Sequence, residues 1–274
     1  MREMFTVVCV LSNNLEINKR WVLQHANVIG SEYSVLLVDN TTFCDINHLL
    51  LLEKAARLGW KVIRNCLPVV PNHTDDTHLS HSAGLDVAMQ YVTTPYIITM
   101  DNDLFIPTLE PLDYLVEQAL SNNAVVVGWE VFPYIAYPYI TPHLTVYKVD
   151  VVRSFPLAAR WVSSETMRDR YGIFYASQYA DVDEYKDVRL AGYLDVGQYT
   201  HYEAVLAGYR VIKLDMEKWK VWGIVHVGSV SDTRYNDSHN PFHAIAIFLP
   251  IKVWGDTQFY WNRIQIRTDG NYLV

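Results

Sequence analysis

The sequence predicts an α/β fold, a mixed sheet flanked by helices. In the first half of the chain, short apolar runs alternate with segments of helical spacing, the order that builds parallel β-α-β units. Several of these runs end abruptly in polar or acidic residues, as strands do at the edge of an open sheet where ligands bind. At 274 residues the chain is long enough to bury a real core and is near the upper size of one domain.

The first half of the chain is predicted to form three strands and two helices in alternation. The apolar runs predicted as strands are residues 5–11, 34–40 and 60–63. The helical segments between them are residues 19–29, which Gly30 ends, and residues 46–58, which Gly59 ends. Residues 65–79 are polar and show little periodicity, which indicates a loop.

The next helix is predicted from four apolar residues that recur on one helical face, Leu85, Ala88, Met89 and Val92. A buried strand follows and ends at residue 100. Further helices are predicted over residues 112–120 and 199–207, and further strands over 124–127, 143–149, 209–214 and 220–227. One domain spanning residues 1–274 is the simplest account, with a ligand-binding half at 1–128 and a second half at 129–274.

The central motif is Asp101-Asn102-Asp103, which directly follows the apolar run ending at Met100. Two carboxylates at the carboxyl end of a buried strand face the crevice in which open α/β sheets hold ligands. A simple turn is the alternative, because Asp and Asn both favour turns.

The amino-acid composition and net charge argue against some classes of function. The net charge of −8 argues against a nucleic-acid partner, which requires a basic face. Cys9, Cys44 and Cys66 are an odd number without C-x-x-C spacing, so core thiols in a reducing, cytoplasmic setting are expected. No apolar run approaches the ~20 residues of a membrane span, so no transmembrane segment is expected.

An ordered set of motifs resembles the GT-A glycosyltransferases, in particular the inverting, family 2-like group. It consists of the strand ending near Asn13, Asp39 at the end of the second strand, Ser82-Ala83-Gly84-Leu85, the strand into Asp101-Asn102-Asp103, and Asp195 before a helix that ends in Gly208-Tyr209. The Glu-Asp pair usual before that last helix is absent, and only Asp195 stands there. The acids at residues 181–187 remain alternatives.

The resemblance implies a Rossmann-type GT-A fold and transfer of a sugar from a UDP- or GDP-sugar to a hydroxyl acceptor. The acceptor would be a carbohydrate or a lipid-linked or protein-linked group, and the transfer would be inverting. Negative charge grows on the leaving diphosphate, so Mn²⁺ or Mg²⁺ bound by hard carboxylate oxygens is expected. Asp103 is the predicted metal ligand, and Asp101 is predicted to be metal-linked or to face the ribose.

Further donor and metal contacts are assigned by the same resemblance. His226 is expected to contact the metal or diphosphate, with a half-buried structural histidine as the alternative. His81, placed just before a helix start, is expected to contact phosphate beside helix amides. Asp39 is expected to bind the nucleobase or ribose, with an acid in a surface turn as the alternative. The other predicted donor-binding residues are Ser12, Asn13 and Asn102.

Asp195 is the candidate base that removes the proton of the acceptor hydroxyl, and its alternative role is a helix N-cap. Trp129, Glu130 and Tyr134 lie in a loop rich in aromatic residues and proline. This loop is predicted to hold the acceptor sugar by stacking, with ordinary packing as the alternative.

Rival functions also remain at this stage. A nucleotidyltransferase typically requires a Gly-rich, basic phosphate-binding loop after the first strand, and residues 11–15 contain neither Gly nor Lys. A phosphatase with an Asp-x-Asp nucleophile would carry it on the first strand. A non-catalytic sugar-binding or structural protein is the rival outside the enzymes. Residues 230–274 carry no interpretable motif.

Overall fold

The computed structural model describes residues 1–12, 14–41, 46–65, 76–129, 139–158, 160–174 and 193–227, with two short strands near the C-terminus. The α-helices of this part of the chain are α1 (Leu15–Val28), α2 (Ile46–Arg57), α3 (Asp76–Tyr91), α4 (Glu110–Ser121), α5 (Val149–Ser154), α6 (Ser164–Asp169), α7 (Gln198–Leu206) and α8 (Met216–Val221). Single 3-10 turns lie at Arg2–Met4 and Gly172–Phe174. None of the described helices is long and apolar enough to cross a lipid bilayer.

The described strands are β1 (Phe5–Leu11), β2 (Ser34–Asp39), β3 (Lys61–Arg64), β4 (Tyr96–Met100), β5 (Leu104–Phe105), β6 (Val126–Trp129), β7 (Leu144–Lys148), β8 (Arg160–Trp161), β9 (Tyr193–Leu194), β10 (Val211–Leu214), β11 (Val225–His226), β12 (Gln265–Ile266) and β13 (Tyr272–Leu273). Seven of them form one sheet in the order β10-β6-β7-β4-β1-β2-β3. Its neighbouring strands are parallel, except that β7 runs antiparallel to β4 and β6. The predicted α/β fold with a mixed sheet is confirmed.

The alternation of side chains in β1 shows why helices cover both faces of the sheet. Phe5, Val7, Cys9 and Leu11 pack in one core with side chains of α1, α2 and α4. Val8 and Val10 point the other way, into a second core with α3, α5 and α7. All seven residues of β1 are buried, as expected for a central strand that is apolar on both faces.

Two predicted elements are wrong. Residues 220–227 were expected to form a strand, but α8 occupies 216–221 and only Val225–His226 is extended. The Asp215 side chain starts α8 by accepting a hydrogen bond from the Glu217 amide at 2.9 Å, and Gly223 turns the chain after it with φ of +64°. The second correction concerns α3, which begins at Asp76, so residues 76–79 are helical rather than part of a loop.

Gly84 allows α3 to lie directly on β1. A Cβ atom at this position would lie 2.5 Å from Val10 Cγ1 and 2.7 Å from Asn40 Nδ2. Both neighbours are held, since Val10 is buried in the sheet and the Asn40 side-chain oxygen accepts a hydrogen bond from Asn65 at 2.8 Å. The glycine of the Ser82-Ala83-Gly84-Leu85 motif is therefore required by close packing.

We expect Gly84→Ala to lower the free energy of unfolding by about 1–3 kcal/mol, the usual result of forcing a methyl group into a packed core. Urea denaturation of the two proteins measures the difference. Gly172→Ala is the control, because a Cβ there meets nothing within 4 Å. Equal destabilisation by the two substitutions would contradict the packing argument.

A buried neutral histidine makes stability depend on pH. His25 donates from Nδ1 to the Trp21 carbonyl at 2.8 Å, and its Nε2 accepts from the Ile106 amide at 3.4 Å. Burial lowers the pKa of His25 to about 3, against a weaker opposing effect of the Trp21 hydrogen bond. Below about pH 6.5 the unfolded ring binds a proton that the native ring does not, so this group makes the protein less stable as pH falls.

His25→Gln removes this proton linkage. The variant should be less stable at pH 7.5, but its disadvantage relative to the parent protein should shrink by about 2 kcal/mol between pH 7.5 and 5. Urea titrations at several pH values give the two curves. Parallel curves would show that His25 is not buried in its neutral form.

Candidate active site

The carboxyl end of β4 positions the two aspartates of the central motif. Thr6, Val7 and Val8 of β1 pair in parallel with Ile97, Ile98 and Thr99 of β4. The carboxyl ends of both strands therefore lie at one edge of the sheet. Residues 101–103 form a tight turn, in which the Leu104 amide donates to the Asp101 carbonyl at 3.1 Å. This turn leads into β5, and the chain reverses at the sheet edge.

Asn102 anchors that turn to the end of β1. Its amide nitrogen donates to Ser12 Oγ at 2.7 Å and to Asn18 Oδ1 at 2.8 Å. Asn18 in turn donates to the Ser12 carbonyl at 2.7 Å. The structure thus brings together Ser12 and Asn102, two of the predicted donor-binding residues. In this arrangement the Asn102 side chain is buried and holds the flanking aspartates in place.

His143 is a site residue that the sequence analysis missed. It directly precedes β7, whose antiparallel pairing places Leu144 opposite Met100. The Asp101 amide donates to the His143 carbonyl at 3.0 Å, and His143 Nδ1 lies 2.5 Å from Asp101 Oδ2. The signal was nonlocal, because an antiparallel β7 must start where β4 ends, and nothing in the local sequence marks its direction.

A second backbone ladder places His226. It lies on β11, which pairs antiparallel with β5, so that His226 is opposite Leu104. His226 Nε2 lies 3.2 Å from Asp103 Oδ1 and 3.6 Å from Asp101 Oδ2. The His143 and His226 rings have centroids 4.4 Å apart. Asp101, Asp103 and His226, the three predicted metal ligands, are thus near one another.

His81 approaches the same carboxylate from α3, with Nε2 3.6 Å from Asp101 Oδ1. The expected position at a helix entrance is wrong, since α3 begins at Asp76 and His81 lies within it. The amides at the start of the helix are therefore not beside His81. Its imidazole, rather than a helix N-terminus, faces the cluster.

The charges of the cluster stabilise one another. Burial opposes ionisation of Asp101, but the charges of His143 and His81 and the contact with His226 hold the pKa of Asp101 well below its usual range. Burial would also lower the pKa of His226, yet Asp103 and Asp101 together raise it to about 10. Asp101 is therefore a half-buried carboxylate whose ionised form is stabilised by the positive charge around it.

These residues fit a divalent metal ion. Asp101, His143 and His226 each offer one ligand atom, and the three atoms lie within 4.8 Å of one another. Asp101 Oδ1 is buried and makes no hydrogen bond within the described residues. A buried carboxylate oxygen left without a donor is costly unless a cation or another donor meets it.

Asp39 is fully buried at the end of β2. Its side chain is 0% exposed, and Oδ1 accepts hydrogen bonds from the Thr41 hydroxyl at 2.7 Å and from His48 Nε2 at 2.9 Å. Arg64 Nε lies 3.7 Å from Oδ2. Since Asp39 pairs with Leu11, it does lie at the binding edge of the sheet. Its contact with a nucleobase or ribose stays a prediction.

Asp195 is held by hydrogen bonds in front of α7. The Tyr139 hydroxyl donates to Oδ2 at 2.8 Å, and the Val196 amide donates to Oδ1 at 2.7 Å. Burial and the charge of Asp195 raise the pKa of Tyr139 well above its usual value, so the hydroxyl keeps its proton. The N-cap of α7 is Gly197, whose φ is +78°, so the alternative role of Asp195 as the cap is wrong.

The predicted acceptor-binding role of Trp129 is contradicted by its burial. The indole is 3% exposed, donates to the Asp215 carbonyl at 3.1 Å, and packs edge-on against Trp219 at 5.1 Å. Trp129 belongs to the core because it is the last residue of β6, a fully buried strand.

Some predicted site residues lie outside the described residues: Asn13, Glu130, Tyr134 and the alternative acids at 181–187.

Comparison with known proteins found similar folds among solved glycosyltransferases. No protein-family model and no curated protein sequence matches the chain. Mannosyltransferase PcManGT from Pyrobaculum calidifontis, in complex with GDP-Man and Mn²⁺, has 13% identity over 78% of this chain and 55% of its own, with a TM-score of 0.49. TarS from S. aureus has 16% identity over 56% and 51%, with a TM-score of 0.38.

A third similar structure is glucosyl-3-phosphoglycerate synthase from Mycobacterium tuberculosis, in complex with Mn²⁺, UDP and glucosyl-3-phosphoglycerate. It has 13% identity over 57% of this chain and 60% of its own, with a TM-score of 0.40. The chain thus spans about half the length of the solved structures it matches.

Proposed function

We propose that the protein is a metal-dependent glycosyltransferase that moves a sugar from a UDP- or GDP-sugar to a hydroxyl acceptor. The observation that carries the proposal is the cluster at the carboxyl end of β4. Asp101 lies there among three imidazoles, and its buried oxygen Oδ1 makes no hydrogen bond within the described residues. An acidic protein needs such a cation site to hold an anionic diphosphate.

The metal ion, Mn²⁺ or Mg²⁺, would be held by Asp101, Asp103 and His226. When bound, it would stabilise the negative charge that grows on the leaving diphosphate. His81 faces the same space from α3 and is suited to contact a phosphate oxygen. Asn102 keeps the two aspartates in position through its hydrogen bonds to Ser12 and Asn18.

Asp195 would act as the base. Attack by the acceptor oxygen on the anomeric carbon requires that the acceptor hydroxyl lose its proton, and a carboxylate held nearby can take it. The Tyr139 hydroxyl and the Val196 amide fix the orientation of the carboxylate. Direct attack on the face opposite the leaving diphosphate makes the transfer inverting.

The setting and the acceptor complete the proposal. A cytoplasmic, reducing environment agrees with the buried free thiol of Cys9. The acceptor is proposed to be a carbohydrate or a lipid-linked or protein-linked hydroxyl group. Because Trp129 is buried, the acceptor would have to contact other residues of the second half of the chain.

A thermal-shift screen tests the proposal with UDP, GDP and their sugars, each with and without Mn²⁺. A ligand at a hundred times its dissociation constant stabilises the native state by about 2.7 kcal/mol, which raises the melting temperature by about 5–10 °C. We expect this shift only when diphosphate and metal are both present. UMP and GMP serve as controls, and no shift with any diphosphate would contradict the proposal.

A further inference from the structure

The cluster around Asp101 contains imidazole nitrogens as well as carboxylate oxygens, and the type of ligand atom influences which metal ion a site binds. We propose that His143 is a direct metal ligand, and that the pair His143 and His226 makes the site selective for first-row transition metal ions over Mg²⁺. The inference rests on the proposed function, whose metal it specifies.

The positions of the two imidazoles are fixed by backbone pairing. His143 is held where β7 meets the end of β4, and His226 is held by the pairing of β11 with β5. Both rings face Asp101 Oδ2, with ring nitrogens 2.5 Å and 3.6 Å from it. Two ring nitrogens and a carboxylate are thus held close together by the backbone pairing of the fold, which reduces the cost of assembling a metal site.

His143 is 35% exposed, the most open of the three rings around Asp101, so its side of the cluster is accessible from solvent. An ion can therefore enter beside His143.

The chemistry of the donor atoms sets the selectivity. Mg²⁺ prefers oxygen ligands and near-ideal octahedral geometry, and it gives up its waters reluctantly. Imidazole suits Fe²⁺, Ni²⁺, Cu²⁺ and Zn²⁺, and two histidines with one carboxylate form a set that proteins use for Fe²⁺. Affinity for such a site rises from Mn²⁺ through Fe²⁺ and Co²⁺. A site of carboxylates alone would not discriminate against Mg²⁺ in this way.

Pulsed EPR of the full-length protein with Mn²⁺ alone, without nucleotide, tests the assignment. Nitrogen bound directly to Mn²⁺ gives a ¹⁴N coupling, and we expect two such nitrogens in the unchanged protein and one in His143→Asn. Mn²⁺ affinity should fall about tenfold or more in that variant. His81→Asn is the matched control, because His81 also faces Asp101 but lies outside the ligand set, and it should keep both couplings.

A competition measurement completes the test. A hundredfold excess of Mg²⁺ should leave the Mn²⁺ spectrum unchanged, whereas an equimolar amount of Co²⁺ should displace Mn²⁺. One coupled nitrogen or none in the unchanged protein would overturn the inference, even if His143→Asn failed to fold. Displacement of Mn²⁺ by comparable Mg²⁺ would overturn it as well.

The measurements distinguish failure of the metal assignment from failure of the proposed function. Two coupled nitrogens with no binding of any nucleoside diphosphate would leave the metal site standing and reject the transferase. Turnover of a nucleotide sugar by a protein that shows only one coupled nitrogen would support the transferase and reject His143 as a metal ligand.

Discussion

Asp101→Asn should lower metal-dependent release of nucleoside diphosphate from UDP- and GDP-sugars by about a hundredfold to a thousandfold. The substitution keeps the shape of the side chain but removes the one carboxylate of the described residues that lies within 3.6 Å of ring nitrogens of His81, His143 and His226. The metal site then loses one of its two carboxylates, and Asp103 alone remains beside the imidazoles. Initial rates measured with Mn²⁺ over a panel of donors give the loss.

The control is Asp150→Asn, an exposed aspartate in the first turn of α5. It changes the net charge by the same amount and should leave the rate unchanged. A protein that only binds sugars would show no metal-dependent release in either form. If Asp101→Asn retained the full rate, the cation site would have to lie elsewhere.

Asp195→Asn is expected to lower the rate of sugar transfer without weakening the binding of Mn²⁺ and the nucleoside diphosphate. Loss of a general base lowers the rate of such a step by about 10²–10⁴-fold. The amide can still accept from the Val196 amide, so the local structure should persist. Transfer to acceptor should therefore fall, while the thermal shift with Mn²⁺ and a nucleoside diphosphate stays as in the unchanged protein.

Tyr139→Phe is the companion variant, because it removes only the hydroxyl that donates to Asp195 Oδ2. It should reduce transfer less than Asp195→Asn does. Undiminished transfer by Asp195→Asn would assign the base to another carboxylate, with the acids at 181–187 as the next candidates.

Local patterns predicted the strands that build the site. The apolar runs that became β1, β2 and β4 are buried on both faces, so their sequence is continuous and easy to identify. The acids at their ends follow from the rule that ligands bind at the carboxyl edge of an open sheet. For that reason the sequence could place Asp39, Asp101 and Asp103 at this edge of the sheet, and their roles there stay predictions.

Features that depend on pairing between distant strands could not be predicted from the sequence. His143 joins the cluster because β7 is antiparallel, a property of the assembled sheet rather than of residues 143–149. Trp129 was misjudged because an aromatic side chain at a strand end suits a core and a sugar site equally well. Residues 220–227 are mostly apolar, so the last two residues of α8 were included in a predicted strand.

Crystals grown with Mn²⁺ and UDP or GDP would test the central claim most directly. Anomalous scattering locates manganese independently of any assumption about its ligands. The proposal predicts one strong peak within bonding distance of Asp101 and His226, with both phosphates of the nucleotide beside it. A nucleotide bound elsewhere, or a cluster without manganese at saturating concentrations, would contradict it.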